Sequence, residues 1–103
     1  MNALSRLECW YRAQCNGDWE HTYGVNIGTL DNPGWSVAID LHGTPLAMRP
    51  FPDHRYGVGN DAEPSGEDWV ECKVEAEKFI GHGGPFKLQE IVEAFLDWAE
   101  NQS

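Results

Sequence analysis

The chain predicts an α+β fold: an antiparallel sheet of about four strands, with an N-terminal and a C-terminal helix packed on one of its faces. Three observations predict it. Apolar residues recur at three- and four-residue spacing near both ends. Between the ends, apolar and polar residues alternate with period two. The turn sequence Asp31-Asn32-Pro33-Gly34 joins two of those runs by a short loop, as in a hairpin. Helices with one apolar stripe and a sheet with one apolar face bury both by packing as two layers.

Residues Ala3 to Gln14 read as the first helix. Leu4, Leu7 and Tyr11, with Trp10 beside them, form its apolar side, and Ser5, Arg6, Glu8 and Arg12 the other. Asn2 is placed to cap it, and Asn16-Gly17 to stop it, because both residues tolerate the left-handed conformation. The next stretch, Gly17 to Gly24, packs two acids, a histidine and two large aromatics between glycines. It reads either as a binding loop or as a structural corner in which Trp19 and Tyr23 plug the end of the core. Both readings stay open on the residues alone.

Tyr23 to Leu30 then alternates, and after the turn Trp35 to Leu41 does so almost perfectly. Pro45 to Phe51 is expected to make a third strand, confined to an edge or ended by Pro50. Pro52 to Glu67 is an acidic loop with little periodicity, of a length that compact domains usually reserve for function or leave disordered. Trp69 to Glu77 is the expected fourth strand, with Cys72 turned inward as a small hydrophobe. Gly81-His82-Gly83-Gly84-Pro85 lacks the lysine and the Ser/Thr of a phosphate-binding loop, and reads as a hinge or a close approach to the sheet. Pro85 suits the first helical position. Leu88 to Ala99 carries a broad apolar stripe, with Glu90, Glu93, Asp97 and Glu100 expected in water. The order is α-β-β-β-β-α in a single domain, residues 1–103. If the helices cover the apolar face, the other face shows Asn26, Ser36, Asp40, Glu71, Lys73, Glu75 and Glu77, and reads as mostly acidic.

Charge excludes whole function classes. Seventeen acids against seven bases leave a net charge of −10. A nucleic-acid binder needs a basic footprint, and an anionic membrane surface repels this chain. A basic protein partner is instead steered towards it. The three cysteines form no CxxC pair, so no zinc site is expected and reduced thiols are. The first residues do not follow a secretion-signal pattern, and no apolar run reaches the length of a membrane span. A cytoplasmic protein is the expectation.

Catalytic chemistry has little to stand on. All four histidines fall in connections, yet no serine or cysteine has a recognisable nucleophile setting. Asp18 and Glu20, two residues apart, are the one carboxylate pair with a histidine beside it. Such a pair can do acid–base work or hold a cation, so a small-molecule- or metal-binding domain built on Asp18 to His21 is the alternative reading. No catalytic residue, metal ligand or cofactor is assigned.

A resemblance adds what composition cannot. Trp10-Tyr11, Gln14-Cys15, Gly17-Asp18-Trp19-Glu20-His21, Tyr23-Gly24 and Thr29-Leu30-Asp31-Asn32-Pro33-Gly34-Trp35 resemble the immunity protein 53 family of bacterial polymorphic toxin systems. Asp40-Leu41, Gly43-Thr44, Asp68-Trp69, Cys72, Gly81 and Gly83-Gly84-Pro85 continue the likeness along nearly the whole chain outside the middle loop. The resemblance implies a cytoplasmic antidote that binds and blocks a cognate toxin domain, with no chemistry and no cofactor of its own. A toxin with a basic active-site cleft, such as a nuclease, suits the acidic surface. The expected contacts are Asp18, Trp19, Glu20 and His21, the loop acids Asp53, Glu63, Glu67 and Asp68, and Glu71 and Glu75 on the wet face.

Overall fold

The computed structural model describes residues 1–59 and 66–101. In chain order the elements are α1 (Ala3–Gln14), α2 (Trp19–Thr22), β1 (Val25–Leu30), β2 (Gly34–Asp40), β3 (His54–Tyr56), β4 (Val70–Glu75), β5 (Lys78–Gly83) and α3 (Leu88–Glu100). The strands form one antiparallel sheet in the order β1-β2-β5-β4-β3. The α+β architecture is as expected, with five strands rather than about four and an extra helical turn at α2.

α1 has the expected bounds and cap: Asn2 Oδ1 accepts the Ser5 N–H at 2.9 Å. α3 lies across β5, β2 and β4, and α1 packs beside it. Phe79 on β5 and Phe95 on α3 are fully buried, with ring centroids 5.2 Å apart. Val37, Ile39, Val70 and Cys72 fill the same layer from the sheet, Ile91, Val92 and Leu96 from α3. Each such side chain contributes about 1.5–3 kcal/mol by leaving water. Trp10 joins the helices, its ring edge-on to Phe95 at 4.9 Å. Arg6 closes the outer seam onto Asp97 (3.0 Å) and Glu100 (2.8 Å) of α3. Burial holds the Cys72 thiol in the core and pushes its pKa up to about 12.

Four local expectations are corrected. Pro45 to Phe51 is not a strand. Consecutive turns run through it, with the N–H groups of Thr44, Ala47 and Arg49 bonded back to the carbonyls of Leu41, Thr44 and Leu46. The prolines supply no N–H for a ladder. The short third strand is instead His54–Tyr56, paired with β4.

The run Trp69 to Glu77 is not one strand either. It ends at Glu75, and Ala76 and Glu77 adopt φ of 53° and 59° in a two-residue hairpin turn. The chain returns as β5, which includes the glycines read as a hinge or a close approach to the sheet. Those glycines answer to close approach. A Cβ on Gly81 would come within 2.5 Å of Ile91 Cγ2, and one on Gly83 within 2.9 Å of Lys87 Cβ. Gly34 likewise begins β2 against the backbone of Gly83, with no positive φ. The preceding Asn32–Pro33 bond is cis.

Pro85 precedes α3 without being its first residue; Lys87 is the N-cap, and the Pro85 carbonyl accepts the Trp35 indole N–H at 2.9 Å. The outer face of the sheet, finally, is of mixed charge. β5 adds Lys78, Ile80 and His82 to it, and β3 adds Arg55. Asp40, Glu71 and Glu75 there lie 3.6, 3.7 and 3.8 Å from Lys78, Arg55 and Lys73.

Candidate functional site

The corner after α1 is built by reciprocal hydrogen bonds. Asn16 Oδ1 accepts the N–H groups of Asp18 and Trp19, each at 2.9 Å. Glu20 reaches back, its two oxygens accepting the N–H groups of Asn16 (2.9 Å) and Gly17 (2.8 Å). Backbone N–H groups, its own first and then these two, hold the Glu20 carboxyl below the usual range against the effect of burial, and His21 adds its charge. Both Glu20 oxygens are therefore engaged by main chain.

Trp19 turns inward. It is 6% exposed, and its indole N–H donates to the His42 carbonyl at 2.7 Å. Trp10, Tyr11 and Tyr23 surround it at ring distances of 6.1–6.2 Å. Asp18 and His21 stay exposed on the outside of this plug. Beside them His42 lies over the Tyr23 ring at 5.0 Å and meets Glu77 at 3.3 Å.

Asp68, before β4, sits at the other end of the sheet. Asp68 is within 2.7 Å of Lys87 Nζ, at the start of α3. Glu67 and Asp53 are exposed, and Glu63 lies outside the described residues. Glu71 and Glu75 are on the outer face of β4, in the ion pairs given above. The structure thus distributes the described members of the expected contact set over the α2 corner, the loop that flanks β3 and β4, and the outer sheet face.

A network that sequence reading missed joins the loop end to a groove. Lys87 lies 5.4 Å from the centre of the Tyr56 ring. The Tyr56 hydroxyl donates to Glu90 Oε1 at 2.8 Å, and His54 Nε2 is 2.9 Å from Glu90 Oε2. Burial works to raise the Glu90 pKa, but the bonds from His54 and Tyr56 and the Lys87 charge prevail and hold it below the usual range. Burial, then the bond to Glu90, moves the Tyr56 hydroxyl the other way, upward. Asp68, followed by Tyr56, raises Lys87.

Beyond His54 a groove of about 660 Å³ runs between α3 and the segment from Arg49 to His54. Phe51 and Trp98 form its floor, their rings edge-on at 5.1 Å, and the Trp98 indole N–H is fixed to the Pro50 carbonyl at 2.9 Å. Glu90, Glu93 and Asp97 line the α3 side. Arg49 lines the opposite side, its Nη1 donating to the carbonyls of Trp98 (3.0 Å) and Asn101 (2.7 Å) at the end of α3.

Among the described residues no three of His, Cys, Asp or Glu converge as a metal site. No described helix is long and apolar enough to cross a membrane. No curated protein and no solved structure matches the chain. A family model described as Immunity protein 53 matches residues 4–100, nearly the whole length. By that match, over the fold and surfaces just described, the chain belongs to the immunity protein 53 family.

Proposed function

We propose that this protein binds a cognate toxin domain of a polymorphic toxin system directly and neutralises it in the cytoplasm, with no catalysis and no cofactor of its own. The match of residues 4–100 to an immunity family carries the reading. The net charge of −10 supports a basic partner surface, and a nuclease with a cationic cleft is the toxin class that fits it. Asp18 and His21 at the α2 corner are contacts framed by Trp19 and Glu20. Asp53, Glu63, Glu67 and Asp68 are steering charges, with Glu71 and Glu75 as outer-face contacts.

Co-expression with the C-terminal toxin domain encoded beside this gene is the direct test. Rescue of growth together with a co-purifying complex is the expected result; persistent toxicity with this protein folded and abundant overturns it. Charge reversal at Glu63 and Glu67 is expected to slow association and flatten its dependence on salt, read by stopped-flow kinetics. Unchanged association rates would remove the loop from the interface.

A further inference from the structure

We propose that the groove between α3 and the Arg49–His54 segment receives an arginine-bearing segment of the toxin domain. The inference rests on the neutralisation reading and adds to it a binding site and the chemistry of its occupant. Three observations carry it.

The first is shape and composition. The groove is concave, of about 660 Å³, and its floor is Phe51, Pro52, Ala94 and Trp98. Room of that size takes a few side chains, and the apolar floor suits the aliphatic stem and flat face of an arginine.

The second is charge. Glu90, Glu93 and Asp97 recur at three- and four-residue spacing, so their carboxylates follow one side of the helix. The cation on the opposite wall, Arg49, donates to the carbonyls ending α3 and, among the described residues, forms no ion pair with these acids. Asp97 meets Arg6 and Glu90 meets His54, but among the described residues Glu93 has only a hydrogen bond from the Gln89 amide, at 3.3 Å. A guanidinium lying over Trp98 reaches Glu93 and shares Asp97 with Arg6, in the two-pronged geometry that arginine makes with carboxylates. The contrast with the outer sheet face is direct, since Asp40, Glu71 and Glu75 there already have cations within 4 Å.

The third is preorganisation. Trp98 is tied to Pro50, Phe51 is wedged edge-on between Phe79 (5.5 Å) and Trp98 (5.1 Å), and Arg49 fastens the far wall to α3. Floor and walls are in place before a partner arrives, so little ordering accompanies binding.

The test has two parts. In the first, the isotope-labelled protein is titrated with N-acetyl-triarginine amide and followed by NMR. The expected result is a saturable shift of the Trp98 indole N–H and of the Ala94 and Glu93 amides, weakened about tenfold in Glu93→Arg and less in Glu93→Gln. Both variants are checked for an unchanged melting temperature. Shifts spread over the whole surface, or unaltered in Glu93→Arg, overturn the site. In the second, wild type and Glu93→Arg are compared in the co-expression rescue. Rescue by wild type with loss in Glu93→Arg supports the groove, and full rescue by both overturns it while the neutralisation reading stands. Failure of wild type itself overturns the neutralisation reading and with it the toxin as occupant.

Discussion

Trp19 turns inward from a corner whose neighbouring Asp18 and His21 stay exposed. Its indole fills the end of the core, and its N–H satisfies the His42 carbonyl. Truncation to alanine is expected to cost about 3–5 kcal/mol by leaving a cavity. Trp19→Phe keeps most of the packing and loses the bond, at about 1 kcal/mol. Denaturant unfolding of both variants checks this; a small loss for the alanine would mean that the corner does not hold the fold. The residues of this stretch left both readings open because composition does not say which way an aromatic turns. The same holds for Glu20, whose acid is spent on capping. Glu90 was expected in water, and nothing local could have paired it with His54 and Tyr56, 36 and 34 residues away.

The β4–β5 hairpin explains most of the misplaced elements. Alternation runs unbroken through Ala76 and Glu77, and neither is a glycine, asparagine or proline that would mark a turn. Both nonetheless adopt positive φ. Replacing them by Asn-Gly is therefore expected to raise stability by about 0.5–1 kcal/mol. The weak, exposed His42–Glu77 pair lost with Glu77 offsets little of that gain. A lower unfolding midpoint would show that the pair or the Glu77 side chain matters more than backbone strain. The glycines after this turn make the close approach that was one of their two readings, but on a strand that the sequence did not reveal. Glycine usually punctuates, whereas Gly81 and Gly83 here are strand residues kept small by α3. The two long helices and the β1–β2 hairpin were legible because period and turn signal agree there. The three-residue β3 is too short to show a period.

Acid sensitivity follows from carboxyls held below their ordinary range. Glu20 is lowered by backbone N–H groups, Glu100 by its bond to Arg6, and Glu90 by its hydrogen bonds and Lys87 against its burial. A lowered folded-state pKa gives stability that is present above the ordinary glutamate value near 4.5 and is lost as pH falls through the lowered values. The melting temperature is expected to hold above that point and decline below it, with a shallower decline in Glu90→Gln. An identical decline in the variant would remove Glu90 from the account. The acidic character of the molecule was plain from composition. Its arrangement was not, because two of the three cations that pair the outer face, Lys78 and Arg55, come from β5 and β3, the strands that sequence reading missed.

Pairing in the sheet is mostly between near neighbours: β1 with β2 and β4 with β5 through tight turns, β3 with β4 through a loop. The exception is β2 with β5, which joins residues 35–40 to 78–83. Along that line the molecule is two sub-assemblies, each with a terminal helix, sewn by the β2–β5 ladder and by the packing of α3 on α1 and β2. Met48, 89% exposed in the turns between them, offers a place to cut. Fragments 1–48 and 49–103 are expected to be unstructured alone, since each exposes half of the shared core. Mixed, they should reassemble into a one-to-one complex with native tryptophan emission, detectable by size exclusion and fluorescence. Such a pair would make the folded antidote conditional on two separately expressed genes. Failure to reassemble would show that closing the covalent loop is indispensable to the seam.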